Sequence, residues 1–341
     1  MSLKEIAHRA GTSVSTVSRV LNQPDYKCKN PELEARIWAA AQEISYTPNT
    51  AAQTLKSGAP QIKTTPLTFG IFLTRFPSLS QDLFFSELFE SLKKELLRQQ
   101  CVPGKFLTLP EVTSMLKEKS SFSVTDTHAD GIILLGKCPA ELISTLQNHY
   151  HNIVGIDRNP TNFDYDEVIC SGTTAAVTAM NYLISLGHKK IAYIGDCTYE
   201  SRYIGYYQAL LNHRIPLDYN FVYPSTQTES EGFQIMNRIL TSNNRPTAVF
   251  CANDCTAIGV LKSIKMSKKR GYHPSVISID NIRESEHTSP LLTTINIPKK
   301  QMAHLALMLL LDQRKGEHKE CVRIELPSRL IKRDSCSYSP Y

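Results

Sequence analysis

The stretch Ser13-Val14-Ser15-Thr16-Val17-Ser18-Arg19-Val20-Leu21-Asn22 reads as a short helix with two unlike faces. Ser13 stands at the cap position, where its hydroxyl can accept an orphan amide of the first turn, with Thr16 three residues on. Val17, Val20 and Leu21 recur at helical spacing and form a stripe to be buried. The opposite face carries Val14, Ser15, Ser18 and Arg19, and it is small, polar and free of acid. Asn22-Gln23-Pro24 ends the run. Upstream, Leu3, Ile6, Ala7 and Ala10 mark one face of an earlier helix, opened by a capping box of Ser2 and Glu5 and closed by Gly11. Two short helices about a glycine turn form a helix-turn-helix pattern. The acid-free face fits the major groove, with Ser15 and Arg19 reaching base edges and Val14 touching a thymine methyl. A helical hairpin with a merely solvated face shares this spacing, so spacing alone leaves both readings open.

Asn30-Pro31 begins a third helix as cap and first-turn proline, and Leu33, Ile37, Ala40, Ala41 and Ile44 would close a three-helix core. Asn49 can cap a short helix that runs through Ala52 and Gln53 to Leu55, before a linker at Lys56-Ser57-Gly58-Ala59-Pro60. A helix of one or two turns is marginal in water and needs DNA or a partner to hold it. The first sixty residues carry Lys4, Arg9, Arg19, Lys27, Lys29, Arg36 and Lys56 against Glu5, Asp25, Glu32, Glu34 and Glu43. That surplus is small, so any grip on DNA must come from where charges and helix amino termini point.

From Leu67 the pattern changes. Leu67–Leu73, Gly131–Leu135, Ile153–Asp157, Lys190–Gly195, Ala248–Ala252 and Val276–Asp280 read as buried strands, with Arg323–Leu326 as a last one. Helical stretches lie between them, at Ser86–Gln99, Ala175–Gly187, Tyr203–Asn212, Gly232–Thr241, Thr256–Met266 and Lys300–Gln313. Strand-helix alternation predicts doubly wound parallel sheets, and the number of strands predicts two lobes. Ligands of such sheets sit beyond the carboxyl ends of strands. Asp157, Asn253, Asp254, Asp280 and Asn281 stand there, and Arg202 precedes the helix after Gly195. An arginine, aspartates and an asparagine converging on one cleft suit a polyhydroxylated ligand, since each pairs with vicinal hydroxyls. Helix capping is the structural alternative for each residue singly, and Asp254 reads as a cap for the helix at Thr256.

With the run Ser13 to Asn22, the motifs Tyr46-x-Pro48-Asn49 and Ala52-x-x-Leu55 closely resemble the headpiece of LacI/GalR-type repressors, and the resemblance continues through almost the whole chain. It implies a helix-turn-helix headpiece on a two-lobed α/β core similar to periplasmic sugar-binding proteins. It implies major-groove contacts from Val14, Ser15 and Arg19 within a DNA-binding set of Ser13, Val14, Ser15, Thr16, Ser18, Arg19, Asn22, Asn49, Ala52, Gln53 and Leu55. Leu55 would be the wedge inserted into the minor groove. Gln53 departs from the arginine common in the family. Arg202-x-x-Gly205-Tyr206, Asn253-Asp254-x-x-Ala257-x-Gly259 and Ile279-Asp280-Asn281 match segments lining the family's effector cleft. The implied effector set is Phe84, Phe85, Asp157, Arg202, Gln227, Asn253 and Asp280, with Phe84-Phe85 as the aromatic pair that could stack on a sugar, at least one of the two being expected in the core. Thr226-Gln227-Thr228 replaces the usual aromatic ahead of Gly232-Phe233. Tyr165-Asp166-Glu167-Val168 and Leu326-Pro327-Ser328-Arg329-Leu330 look most like repressors of galactose and β-galactoside operons, the evolved-β-galactosidase type included, which makes a galactoside the first candidate effector.

The expected domains are a headpiece at 1–58 with a hinge helix at about 48–56 and a linker at 59–66. The first lobe is expected at 67–156 and about 282–312, and the second at 157–281 and about 313–341. The absence of a heptad tail after the last strand predicts a homodimer on a near-palindromic operator.

Composition agrees with this class. Hydrophobic residues make up 41%, charged residues 21%, and the net charge of +6 suits a nucleic-acid partner. No window is long and apolar enough for a membrane span, and Met1-Ser2-Leu3-Lys4-Glu5 lacks a secretory h-region, which predicts a cytoplasmic protein. Nine scattered cysteines, with only Cys251 and Cys255 close together, imply neither a metal site nor a disulfide framework, and no cofactor is expected. An α/β enzyme is the rival from another class. The chain holds no GxSxG, P-loop or HExxH, and His188 reads as a helix-end histidine. A free sugar-binding protein and a global carbon-catabolite regulator controlled by a phosphocarrier protein complete the alternatives.

Overall fold

The computed structural model describes residues 3–22, 26, 28, 30–44, 66–75, 77–79, 82–117, 129–157, 159–161, 165–198, 200–267 and 271–340. Three helices open the chain, α1 (Leu3–Ala10), α2 (Val14–Asn22) and α3 (Pro31–Glu43). Gly11 makes the turn between the first two at φ +63°, where a Cβ would be strained. The Thr16 N–H donates to Ser13 Oγ at 3.1 Å, and the N–H groups of Glu32 and Leu33 donate to Asn30 Oδ1 at 3.0 and 3.1 Å. Ile6, Ala7 and Ala10 of α1 meet Val17, Val20 and Leu21 of α2 and Ile37, Trp38 and Ala41 of α3 in one small core, which Leu97 of the body joins. The expected capping box of Ser2 and Glu5 rests on Ser2, which lies outside the described residues. Glu5 pairs with Arg9 at 3.0 Å, and Glu43 holds the same guanidinium from α3 at 3.1 Å.

The body continues with β1 (Thr68–Leu73), α4 (Leu83–Arg98), β2 (Val102–Thr108), α5 (Leu109–Lys117), β3 (Gly131–Leu135), α6 (Ala140–His149), β4 (Ile153–Asp157) and β5 (Asp166–Ile169). Next come α7 (Gly172–Ser185), β6 (Ile191–Gly195), α8 (Ser201–Asn212), β7 (Val222–Pro224), α9 (Glu229–Thr241), β8 (Ala248–Cys251), α10 (Asp254–Met266), β9 (Ser275–Asp280) and β10 (Thr293–Asn296). The described chain closes with α11 (Lys299–Lys315), β11 (Arg323–Glu325) and β12 (Arg329–Ile331). Two sheets result, in the orders β11-β5-β4-β3-β1-β2 and β12-β10-β9-β8-β6-β7. Every pairing is parallel except β12 on β10.

Helices on both faces explain why the strands are unbroken apolar runs. Along β1, Phe69, Ile71 and Leu73 pack with Phe85, Leu88 and Leu92 of α4, while Phe72 turns to Val112 of α5 and Leu146 of α6. Over the second sheet α9 and α10 cross with no room for a side chain. A Cβ on Gly232 would strike the Thr256 carbonyl, and one on Gly259 the Glu229 carbonyl.

Strand pairing moves the lobe boundaries away from those expected. β5 belongs to the first sheet, so the chain crosses after Ile169 and not after Ile156. β10 belongs to the second sheet, which places the return before α11 and not near residue 282. β11 pairs with β5 in the first sheet, and only β12 rejoins the second. The cause is composition: β5 (Asp166–Ile169) and β10 (Thr293–Asn296) mix polar with apolar residues and show no apolar run of the kind that marks β8.

Candidate functional site

The exposed face of α2 is built as its spacing predicted. Val14, Ser15 and Arg19 are exposed, Thr16 and Ser18 half-buried, and Val17, Val20 and Leu21 buried. No acidic residue stands in its first turn, so the partial positive charge of the helix amino terminus is unopposed there. Ser13 Oγ lies 2.9 Å from Ser15 Oγ and 2.8 Å from Thr16 Oγ1, a hydroxyl cluster at that terminus. Arg19 is held before any DNA arrives. Its Nε donates to the Ser15 carbonyl at 3.4 Å, and its guanidinium lies over the Tyr26 ring at 5.3 Å. Asn22 is the last residue of α2. Asn49, Ala52, Gln53 and Leu55, with the expected hinge helix, lie outside the described residues.

The carboxyl ends of both sheets face one cleft. Arg202, in the first turn of α8, is its fully buried centre. Arg202 Nε donates to Glu200 Oε1 at 2.7 Å, Nη1 to the Ala252 carbonyl at 2.8 Å and Nη2 to Gln227 Oε1 at 2.9 Å. Burial opposes the charge, but the Glu200 carboxylate outweighs it and holds the guanidinium above its ordinary range. Gln227 sits at φ +69° just before α9, and its Nε2 is buried without a hydrogen-bond partner. Asp157 ends β4; Asn159 Nδ2 donates to its Oδ2 at 3.5 Å, while its Oδ1 is buried and unpartnered. Asp280 ends β9 at φ +125°, and its carbonyl accepts from Lys299 Nζ at 2.7 Å. These four expected residues do converge on the cleft.

Three others take structural roles. Asn253, not Asp254, caps α10: its Oδ1 accepts from the Thr256 N–H at 3.0 Å, and its Nδ2 donates to the Gln227 carbonyl at 3.0 Å. Asp254 is fully buried and accepts from Ser278 Oγ at 2.5 Å, Thr294 Oγ1 at 2.6 Å and the Ile282 N–H at 2.8 Å, which ties α10 to β9 and β10. Burial, with Asp280 adding, pushes this carboxyl up to about 7 against those hydrogen bonds. Phe84 and Phe85, at least one of them expected in the core, both lie in it. Both are 0% exposed and meet edge to face at 5.1 Å. Both rings join the core cluster under the sheet, with Lys299 Nζ over the Phe84 ring at 5.6 Å.

Sequence reading passed over Arg75, Asn159 and Glu200, which join the lobes. Arg75 Nη2 pairs with Glu200 Oε2 at 3.2 Å, and the Ser201 N–H donates to Asn159 Oδ1 at 3.1 Å. On the same side of the cleft a cavity of about 330 Å³ is lined by Thr74, Arg75, Lys137, Asn159, Asp196 and Glu200, among others. At the hinge, Lys299 Nζ reaches Glu87 at 3.2 Å besides the Asp280 and Asn281 carbonyls. His188 is not near the cleft. It bridges Thr247 Oγ1 at 2.9 Å, Ser275 Oγ at 3.0 Å and the Ser337 carbonyl at 2.9 Å, and burial lowers its pKa. All nine cysteines are free, and among the described residues no group of His, Cys, Asp and Glu could hold a metal ion. No helix among the described residues is long and apolar enough to cross a membrane.

Comparison with known proteins places both parts. Residues 2–49 match the profile of bacterial regulatory proteins of the lacI family, and residues 180–336 that of the periplasmic binding protein-like domain. The chain is 28% identical over 350 residues to the HTH-type transcriptional repressor PurR of Klebsiella pneumoniae, covering 100% of this chain and 98% of that one. The PurR repressor of Salmonella paratyphi B is equally similar, at 28% over 350 residues. Among solved structures, a complex of the transcriptional regulator CelR with cellobiose superposes with a TM-score of 0.69 at 23% identity, covering 98% of this chain and 100% of that one. A ribose-bound regulator from Enterococcus faecium gives 0.68 at 26% identity, covering 80% and 99%. The lac repressor dimer bound to operator and an anti-inducer gives 0.66 at 22%, covering 98% of each chain.

Proposed function

We propose that this chain, which belongs to the lacI family of bacterial regulatory proteins and joins its helix-turn-helix domain to a periplasmic-binding-protein-like core, is a transcriptional repressor whose operator affinity is controlled by a small neutral polyhydroxylated effector. One observation carries the reading. An acid-free recognition face is joined, in one chain, to a cleft where Asp157 Oδ1 lacks a donor and Gln227 Nε2 lacks an acceptor. Buried polar atoms without partners are costly, and a sugar hydroxyl can both donate and accept. Galactosides are the first sugars to test. PurR relatives carry repression in their name, and a lac repressor is seen as a dimer on operator, which supports a homodimer acting on double-stranded DNA in the cytoplasm.

Val14, Ser15 and Arg19 read the groove in this scheme, with Ser13 and Thr16 at the phosphate-facing helix terminus. The segment holding Asn49, Ala52, Gln53 and Leu55 is the conditional hinge. Effector binding shifts the two lobes, the paired hinges lose their spacing, and the headpieces lose their shared grip. A differential affinity of about 3 kcal/mol between the two states weakens operator binding about a hundredfold. The test is selection of binding sites from random duplexes, repeated with a panel of galactosides and other neutral sugars. A near-palindromic site whose occupancy a sugar changes is the expected result. No site, or a site indifferent to every sugar, sinks the reading.

A further inference from the structure

The carboxylate of Glu200 occupies the place of a ligand. It lies between two arginines from different lobes, Arg202 at 2.7 Å and Arg75 at 3.2 Å, and it is itself only 2% exposed. Arg75 is aimed there by the turn after β1. Thr74 Oγ1 donates to the Leu135 and Gly136 carbonyls at 3.1 and 2.9 Å, and a Cβ on Gly136 would strike Arg75 Cβ. Lys137 and the carboxylate of Asp196 also line the adjoining cavity, while Arg75 and Arg202 pair with Glu200 directly. Two guanidinium forks facing one small anion form the arrangement proteins use for carboxylates and phosphates.

Capping does not account for this residue. Glu200 is the N-cap of α8 and accepts from the Arg202 N–H, but at 3.4 Å. Serine, aspartate and asparagine cap better than glutamate, because a short side chain reaches the first-turn amides without strain. The longer side chain is needed for what it reaches next, the guanidinium of the other lobe.

We propose that Glu200 is a built-in anion that fills the slot between Arg75 and Arg202, and so determines that the cleft takes neutral polyhydroxylated effectors and rejects acidic ones such as sugar phosphates and uronic acids. This rests on reading the cleft as an effector site. A phosphate entering the wild-type slot meets a resident carboxylate and two arginines already paired. With Glu200 shortened, the same slot presents two guanidinium groups that have lost their shared carboxylate, in a dielectric lower than that of water, where an anion is held more strongly.

The experiment is calorimetric titration of the full-length protein with inorganic phosphate, at ionic strength held constant with chloride, on the wild type, Glu200→Ser and Glu200→Gln. The serine keeps an N-cap and vacates the slot, whereas the glutamine fills it without charge. The expected order of phosphate affinity is serine variant, glutamine variant, wild type, with about tenfold or more between first and last. A serine variant that is folded by circular dichroism yet gains no affinity overturns the proposal, as does a wild type that binds phosphate equally well. If the serine variant does not fold, a glutamine variant no better than wild type overturns it too. Titration of the wild type with neutral sugars separates the two readings. Sugar binding without a phosphate gain removes only the role of Glu200, and a phosphate gain without any sugar binding removes only the sugar effector.

Discussion

Arg19 shows how much one side chain can be prepared for its task. Its fork is steadied by the Ser15 carbonyl and the Tyr26 ring, so little rotamer entropy remains to be lost on contact with a base. Arg19→Ala should weaken specific operator binding by roughly 1–3 kcal/mol and relax the preference at one base position, as read by fluorescence anisotropy on operator variants. An unchanged preference would remove Arg19 from the groove. Asp157 makes the opposite case. Its Oδ1 is desolvated in return for nothing within the chain. Asp157→Ala should therefore reduce effector affinity about tenfold or more while thermal stability holds or rises. A stability loss with unchanged effector affinity would make Asp157 a structural residue.

At the scale of elements, the caps decide where the headpiece helices begin. Asn30 accepts two first-turn amides of α3, so Asn30→Ala should cost the headpiece about 1 kcal/mol. Trp38, the single tryptophan and buried in that core, reports it without interference from the body. An unchanged midpoint of the Trp38 fluorescence transition would refute the cap at Asn30. A second element-scale device lies at the end of α11. His318 bridges Asp312 at 2.6 Å and Asp166 of β5 at 2.7 Å, and these carboxylates, Asp312 first, raise its pKa. A raised pKa means the folded state holds the proton more tightly than the unfolded chain does. The gain is complete below the ordinary histidine value of about 6.5 and disappears as pH climbs through the folded value. The difference in urea midpoint between wild type and His318→Gln should thus be largest at mildly acidic pH and shrink in alkali. A difference independent of pH would assign the bridge to neutral hydrogen bonding.

At the scale of the whole molecule, regulation requires that two lobes and two headpieces share one equilibrium. Arg75–Glu200, Asn159–Ser201 and Lys299 on the Asp280 and Asn281 carbonyls cross between lobes, so lobe rotation must break or re-form polar contacts and not merely flex a linker. Leu55→Ala should leave each headpiece folded but abolish the central operator kink. Binding would then be weak, nonspecific and steeply salt-dependent. Wild-type bending by the variant, measured by permuted-site gel shift, would refute a wedge at Leu55.

The helix-turn-helix, the two-lobed α/β body and the convergence of Asp157, Arg202, Gln227 and Asp280 were legible in the sequence. The helices, the strands, Asp157 and Asp280 follow from short-range periodicity or from a polar residue directly after an apolar run. Both survive folding because secondary structure is local, whereas Gln227 comes only with the family resemblance. Phe84 and Phe85 could not be assigned this way. Which side of α4 meets the sheet is a matter of packing, and it buried both rings. Nor could the owner of β5, β10 and β11 be read, since their sheet is chosen by hydrogen bonding to strands distant in sequence. Glu200 is the clearest case. In sequence it is a loop glutamate two residues before Arg202, and only the approach of Arg75 from the other lobe makes it the anion of a slot.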